Sequence, residues 1–516
     1  MKASQFQKTT KKILPYAFLI GLILVFTYGF PLTGADLAFY KELGTGGLNS
    51  WIAQAGNSGG NYLSALFNAV LVEIPVLRHV LIAVFLSGII CVLVSYCDLN
   101  KPYMYFVLLL SCLASSKSVF ANTFSRTLGI GTILIPALLT AVFIFTVSDL
   151  IIYKGKKKAW KIPVILLSGF ASQLFSERIG AAILIVSLVF TIYVCKKFGF
   201  SWHLAAHVFG CICGFVLSMV ISGVKTPIVG SFYTLVDQMG FALDQIFSYN
   251  LFVMLLLTLG CLLLIQPIRT ERSKNCNITL YLLLVPMTFF VVMNLINEGS
   301  TAFAPIHRVL AFLKLFFAFG YTVGIFRTLQ HYVSKNKVHV RIQVAMITAW
   351  IFMIVYSATE ASDPGMLYVS HFLTASAALL VLTYALSRYS RFEKIIRKPV
   401  FIASMIGILC LSCITIGNSA YCTVVDKHIQ ESLSAGEMEI TLPQAPYKDR
   451  LAVTDVSQMS DYYDFPSYGN VEISYVPYAQ WDWKTYYEAH HVPVIEEYDE
   501  DQQALSEWAE KFEEVE

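Results

Sequence analysis

Long apolar runs separated by short polar segments dominate the first four-fifths of the chain. A helix needs about 20 apolar residues to cross the hydrocarbon core of a bilayer, and thirteen runs approach that length. They cover residues 13–32, 76–97, 102–116, 127–152, 161–175, 179–195, 202–222, 249–268, 278–296, 309–327, 341–357, 370–387 and 399–416. The short runs 102–116 and 161–175 are predicted to be tilted or partly re-entrant. The pattern predicts an all-α polytopic membrane protein with 11–13 transmembrane helices.

The first run, "ILPYAFLIGLILVFTYGFPL", is predicted to remain in the protein as a membrane span. A cleavable signal peptide has a shorter apolar core followed by small residues at a cleavage site. Neither feature is evident in residues 13–32.

The polar segments between the runs form two alternating sets. One set is basic and includes "KGKKKAWK" and "SKNKVHVR"; the other is mixed in charge and includes residues 33–75 and "LFSERIG". Basic loops stay in the cytoplasm, so the N-terminus is predicted to be cytoplasmic and the C-terminus extracytoplasmic, in a plasma membrane. We call the side of the mixed segments the predicted outer side. On this side, parts of 33–75 and 223–248 have the pattern of interfacial helices.

The chain changes character near Gly417. "EMEITLPQ", "DRLAVTDV" and "NVEISYVPY" alternate apolar and polar residues with a period of two, which is typical of strands. Residues 1–416 are therefore predicted to form the membrane domain, and 417–516 a small β-rich extracytoplasmic module with an acidic end. The frequent Tyr and Trp residues of this module are interpreted as packing or membrane-surface anchors, with carbohydrate contact as the alternative.

Composition and charge support this division. Hydrophobic residues make up 56% of the 516 positions and charged residues only 14%, against about 25% in soluble domains. Residues 417–516 contain 21 acidic and 5 basic side chains, which is a net charge of −16 and leaves +19 for the rest of the chain. This asymmetry is a topology signal, and no basic patch indicates a nucleic-acid partner. Most of the 11 Cys fall in or beside apolar runs, where buried thiols are expected rather than a disulfide framework.

Asp36 follows the first apolar run, at the predicted outer surface of the membrane. A carboxylate there is either a catalytic base or metal ligand at the lipid–water boundary, or a polar residue that only ends a helix. Charged groups near membrane depth are costly and concentrate at functional sites. Its position alone leaves both interpretations open.

Two other outer segments contain pairs of ionisable residues. Glu177 and Arg178 lie in the turn "SERIG", where they either face an outer cavity or are solvated. His307 and Arg308 begin a later run, and Arg suits phosphate because its planar guanidinium donates two hydrogen bonds at once. Arg126 is a further outer candidate for contact with an anionic substrate.

Sequence signatures of common soluble enzymes are absent. The chain contains no Walker loop, no dinucleotide-binding glycine fingerprint, and no zinc-protease or hydrolase nucleophile motif. Charges inside the apolar runs are few, and Lys314 is the main exception. His371, at the start of a late run, is interpreted as a structural histidine.

The order of these features resembles the GT-C superfamily of membrane glycosyltransferases, and more narrowly a bacterial family of multi-pass, glucosyltransferase-like proteins. "GADLAFY", with Asp36 and Tyr40, resembles the family's acidic segment after the first span. "SERIG" resembles its Glu-containing turn, and "GEMEITLPQAPYKDRLAVTDV" its outer module. Ala35 departs from the family, in which a second acid is common, so Asp36 would act alone or with a carboxylate from elsewhere in the chain.

The resemblance implies transfer of a sugar from a polyprenyl-phosphate donor to an extracytoplasmic glycan or lipid acceptor, with a divalent cation as the only candidate cofactor. It implies that Asp36 is the catalytic base and that Glu177 supports it. The residues implied to bind substrate are Tyr40, Arg126, Arg178, His307 and Arg308. The alternatives are a transporter or flippase of lipid-linked saccharides, which predicts broken helices and ionisable residues at membrane depth, a glycan polymerase or ligase, and a non-enzymatic scaffold.

Overall fold

The computed structural model describes residues 16–29, 61–99, 101–124, 129–154, 161–222, 229–265, 274–297, 307–333, 337–359, 363–435, 439–443 and 472–476. Its helices are α1 (Tyr16–Tyr28), α2 (Tyr62–Glu73), α3 (Pro75–Tyr96), α4 (Pro102–Leu113), α5 (Lys117–Phe124), α6 (Ile135–Ile152), α7 (Ile162–Phe175), α8 (Glu177–Phe198), α9 (Trp202–Ser222), α10 (Phe232–Leu243), α11 (Leu251–Ile265), α12 (Lys274–Asn297), α13 (His307–Tyr332), α14 (Lys337–Ala358), α15 (Tyr368–Arg388) and α16 (Ser390–Ser434). Three short turns extend them: a π turn before α6 (Ile130–Leu134), a π turn after α10 (Asp244–Ser248) and a 3-10 turn before α15 (Pro364–Leu367).

The helices match the apolar runs of the sequence. Nine helices of the described chain are long and apolar enough to cross a membrane, and the number reaches eleven if each of two bent pairs is one span. The prediction of an all-α polytopic protein is confirmed, and the count meets the predicted range at its lower end. Two predicted spans, α1 and α7, are apolar helices shorter than this length criterion.

Two spans are broken rather than straight. α4 and α5 meet at 96°, which agrees with the predicted re-entrant character of 102–116, and α10 with its π turn meets α11 at 66°. Ser116 Oγ accepts a weak hydrogen bond from the Val119 amide at 3.4 Å and so helps to start α5. The break between α10 and α11 was not predicted, because 223–248 is interpreted from sequence as interfacial.

Ion pairs join segments of the basic, predicted inner set. Arg341, at the start of α14, is buried, and its guanidinium lies 2.7 Å from the Asp98 carboxylate and 3.8 Å from that of Asp149. Lys101 pairs with Glu393 of α16. These contacts connect the ends of α3, α6, α14 and α16, so segments that the charge pattern places on one side do meet there.

Contacts on the other side join segments of the mixed set. The Glu177 amide donates to Asn61 Oδ1 at 3.3 Å, and the Val229 amide donates to the Ala358 carbonyl at 3.0 Å. The alternation of the two sets is therefore reproduced in space. Which side faces the cytoplasm stays a prediction.

The bundle is held together by one long core and by close helix contacts. Every residue in the apolar window of α15 is buried. α7 and α9 approach so closely that a Cβ added at Gly210 would lie 2.2 Å from the Leu166 carbonyl, and one at Gly169 would lie 2.6 Å from that of His207. Small residues allow this approach, which replaces the hydrophobic driving force that lipid removes.

The tail is described only in part. β1 (Glu439–Pro443) and β2 (Glu472–Val476) pair in parallel, with Ile440 opposite Ile473. These strands fall in two of the three predicted segments, whereas "DRLAVTDV" lies outside the described residues. The small β-rich module therefore stays a prediction beyond this one pair.

Candidate functional site

The turn "SERIG" starts α8 by helix-capping chemistry. Ser176 has an extended backbone, and its side chain accepts a hydrogen bond from the Ile179 amide at 3.4 Å. Glu177 follows as the first helical residue, where a negative charge is favoured by the helix dipole. Local sequence therefore accounts for the position of the acid at the N-terminus of a span.

Glu177 is buried, with 7% of its surface exposed. Its Oε2 atom accepts no hydrogen bond from the residues that the structure describes. Buried carboxylates are normally paired or hydrogen-bonded, because water no longer solvates them. The side chain is thus a hydrogen-bond acceptor with spare capacity, held on the predicted outer side.

The backbone around Glu177 ties it to the first outer segment. Asn61, which receives the Glu177 amide, immediately precedes α2. Residues 30–60, which contain Asp36, lead directly into Asn61 along the chain. Sequence connectivity therefore brings the segment that carries Asp36 to the N-terminus of α8.

Gln173 of α7 reinforces this corner. Its amide nitrogen donates to the Gly180 carbonyl at 2.8 Å, and a Cβ at Gly180 would lie 2.7 Å from Gln173 Oε1. The two helices are therefore locked together on either side of the capping turn. Such a contact fixes the direction in which α8 presents its first residues.

Arg178 lies beside a tyrosine and a second acid. It is half-buried, and both its guanidinium and the Asp363 carboxylate act electrostatically on the phenol of Tyr356, near the end of α14. Asp363 is itself held by its turn, because its Oδ1 accepts a hydrogen bond from the Gly365 amide at 2.8 Å. The corner thus contains an acid with spare capacity, a cation and a phenol.

Arg308 occupies a different part of the same side. Its guanidinium lies 3.8 Å from the Asp237 carboxylate and 4.9 Å from the ring centre of Tyr233, both on α10. α10 also stacks Phe241 on Tyr356, with ring centres 6.3 Å apart. Arg178 and Arg308 are therefore both associated with the unit formed by α10 and the end of α14.

The remaining predicted site residues cannot be placed. His307 is the first residue of α13, but its side chain lies outside the described part of the structure. Asp36, Tyr40 and Arg126 lie outside the described residues altogether. Their roles stay predictions.

Sequence reasoning missed a buried ion pair. Lys314 of α13 pairs with Asp244, and Ser248 donates to the other oxygen of that carboxylate at 2.8 Å. Lys314 stood out as a charge inside an apolar run, which was a signal that a partner must exist. Asp244 was interpreted as an interfacial residue, because nothing in its neighbourhood along the chain indicates burial.

His371 is a structural histidine, as interpreted from the sequence. It is buried, with Nε2 2.7 Å from the Ser111 carbonyl and Nδ1 2.6 Å from Asn250 Nδ2. A carbonyl only accepts, so Nε2 donates the proton and Nδ1 accepts from the amide. The ring links α4, α11 and α15.

The described residues were also searched for metal-binding geometry. Among them, no three His, Cys, Asp or Glu side chains lie close enough together to bind one ion. The carboxylate that the resemblance assigns to a site, Asp36, is outside that search.

Comparison with known proteins adds no relative. No protein-family model matches the chain, and neither a curated protein nor a solved structure matches it at a significant level. The corner formed by Glu177, Arg178, Tyr356 and Asp363 therefore has to be interpreted from its own chemistry.

Proposed function

We propose that the protein is an integral membrane glycosyltransferase that moves a sugar from a polyprenyl-phosphate donor to an extracytoplasmic glycan or lipid acceptor. The observation that supports this most is the buried Glu177 carboxylate, whose Oε2 has no partner among the described residues. A group of this kind is suited to receive a hydroxyl. It stands at the end of a span, where a lipid-linked substrate can arrive laterally.

The reaction divides between the residues as follows. Asp36 takes the proton from an acceptor hydroxyl as its oxygen forms a bond to the anomeric carbon of the sugar. The bond from that carbon to the phosphate oxygen breaks, and the lipid phosphate leaves with the electron pair. Arg178 stabilises the departing charge, because a guanidinium forms strong hydrogen bonds to phosphate. Glu177 orients the acceptor hydroxyl or a second hydroxyl of the sugar.

Glu177→Gln tests the proposal. The amide keeps the size of the side chain but replaces an acceptor oxygen with a donor, so transfer should fall by about 10²-fold or more, as for other positioned acid–base groups. Transfer is measured with purified protein in nanodiscs, using radiolabelled polyprenyl-phosphate-glucose, -mannose and -galactose as donors. Asp36→Asn should cause at least the same loss.

Glu431→Gln is the matched control. Glu431 is an exposed acid of α16 that pairs with Lys427 at 3.7 Å, and its substitution should leave transfer unchanged. Full activity of a folded Asp36→Asn or Glu177→Gln protein would contradict the assigned roles. Absence of transfer by the wild-type protein with all donors would count against a transferase that uses these sugars.

One observation favours a second candidate, a transporter or flippase of lipid-linked saccharides. Broken helices and buried ionisable residues are features of transporter sites, and the structure has both in the α10–α11 bend and the Asp244–Lys314 pair. Reconstituted vesicles containing a fluorescent lipid-linked saccharide distinguish the two. A transporter moves the lipid between leaflets without forming product and loses this activity in Lys314→Met.

A further inference from the structure

An open cavity of about 410 Å³ lies between α4, α11, α12 and α16, away from the Glu177 corner. Both helix breaks border it. Ser115 belongs to the break between α4 and α5, and Asn250 belongs to the break between α10 and α11. Broken helices expose polar backbone and side-chain groups within a bundle, and such irregular segments are tolerated in membranes where they line a cavity.

The carbonyl oxygen of Asn250 is left as an acceptor in this cavity wall. His371 Nε2 must donate to the Ser111 carbonyl, so the neutral ring presents Nδ1 as an acceptor and holds the Asn250 NH₂ group at 2.6 Å. The opposite amide orientation would place two acceptors against each other. Asn250 is 1% exposed, and its Oδ1 has no hydrogen-bond partner among the described residues.

Ser115 supplies a second polar group. Its side chain is 97% buried by the same measure, since only 3% is exposed, and its Oγ makes no hydrogen bond to the described residues. A hydroxyl can donate and accept, so it complements another hydroxyl. Two buried groups with spare hydrogen-bonding capacity therefore line one cavity.

The rest of the wall is uncharged and largely apolar. Its described lining residues include no Asp, Glu, Lys, Arg or His, and Leu110, Leu251 and Leu411 contribute aliphatic surface. Phe252 and Cys410 line the cavity and are exposed on the surface of the bundle. A charged headgroup would find no counter-ion in this wall, whereas an alkyl chain beside it would remain in contact with apolar side chains.

We propose that this cavity binds the uncharged, hydroxyl-bearing headgroup of a membrane lipid. The headgroup hydroxyls donate to Asn250 Oδ1 and exchange hydrogen bonds with Ser115 Oγ. The acyl chains leave past Phe252 and Cys410 into the bilayer. The site takes an uncharged ligand and so differs from the phosphate-binding role assigned to Arg178, and it does not depend on the transferase proposal.

Two substitutions on α16 test the site. Cys410→Trp fills the cavity, whereas Cys413→Trp adds the same indole at an exposed position that does not line it. Protein in phosphatidylcholine nanodiscs containing monoglucosyl-diacylglycerol is released into native mass spectrometry, and retained lipid is counted. Retention should fall by about tenfold in Cys410→Trp and by about threefold to tenfold in Ser115→Ala, in line with the loss of one or two hydrogen bonds. It should be unchanged in Cys413→Trp.

The other lipids and sugars identify what is bound. Phosphatidylglycerol, which has hydroxyls and a negative charge, should be retained no better than phosphatidylcholine. Soluble methyl glucoside should compete only if the headgroup alone is recognised; competition without lipid retention would replace the lipid with a free sugar as ligand. Equal retention by Cys410→Trp and Cys413→Trp, or preference for phosphatidylglycerol, would overturn the proposal.

Discussion

Lys314 shows how a single residue can reveal a contact that the rest of the sequence conceals. A lysine inside an apolar helix costs several kcal/mol unless its charge is compensated. The structure provides Asp244, which Ser248 also holds, so the cation, the carboxylate and the hydroxyl form one buried unit. A charge in an apolar run therefore predicts that a partner exists but not where it is.

Lys314→Met should destabilise the protein strongly, because it leaves Asp244 buried without its cation. The expected loss is about 3 kcal/mol, and Lys314→Met combined with Asp244→Leu should recover most of it, since a buried pair can often be replaced by apolar residues. Thermal unfolding in detergent measures both. A double variant no more stable than the single one would show that the pair contributes more than mutual neutralisation.

At the scale of elements, glycine determines how closely α7 and α9 pack. α7 has only 14 residues, and the carbonyls of Leu166 and His207 occupy the space that side chains would need at Gly210 and Gly169. A short helix is thus stabilised by backbone proximity rather than by length. This explains how a segment below the usual spanning length can belong to the bundle.

Gly210→Leu should force α7 and α9 apart and lower stability by about 2–4 kcal/mol, because backbone cannot move aside as a side chain can. Gly21→Leu in α1 is the matched control, since a Cβ there meets nothing within 4 Å. Detergent melting curves of the two variants give the comparison. Equal melting of both variants would mean that the close α7–α9 contact does not stabilise the bundle.

The elements also show which features a sequence can predict. Helix positions follow from local hydropathy, so the thirteen apolar runs coincide with helices. The bends at 114–116 and 249–250 depend on neighbouring helices, through the contacts of Ser116 and His371. The burial of Glu177 was also open, because "SERIG" has the same letters whether its acid faces water or protein.

At the scale of the whole molecule, contacts divide the chain into two ends. The Arg341 ion pairs join segments of the basic set, and the hydrogen bonds of Glu177 and Val229 join segments of the mixed set. Charge along the sequence and proximity in space therefore agree on alternation. The orientation of the bundle in the membrane is the one part of the topology that depends on the positive-inside rule alone.

α16 has a consequence for how the tail is attached. Its 45 residues have a contour of about 67 Å, more than twice the hydrocarbon thickness of about 30 Å. Tyr421, within this helix, nevertheless donates to the Pro443 carbonyl of β1 at 2.8 Å. The chain from 422 to 442 is therefore a closed loop whose two ends are already fixed side by side.

Such a loop should accept an inserted domain with little loss, because added length changes closure entropy only slowly. Alkaline phosphatase inserted after Ala435 should be active, since it folds only outside the cytoplasm, while a fluorescent protein inserted there should be dark when exported in unfolded form. The reverse pair of signals would turn the molecule over and place the Glu177 corner in the cytoplasm. The loop thus makes the protein's own fold a reporter of its direction in the membrane.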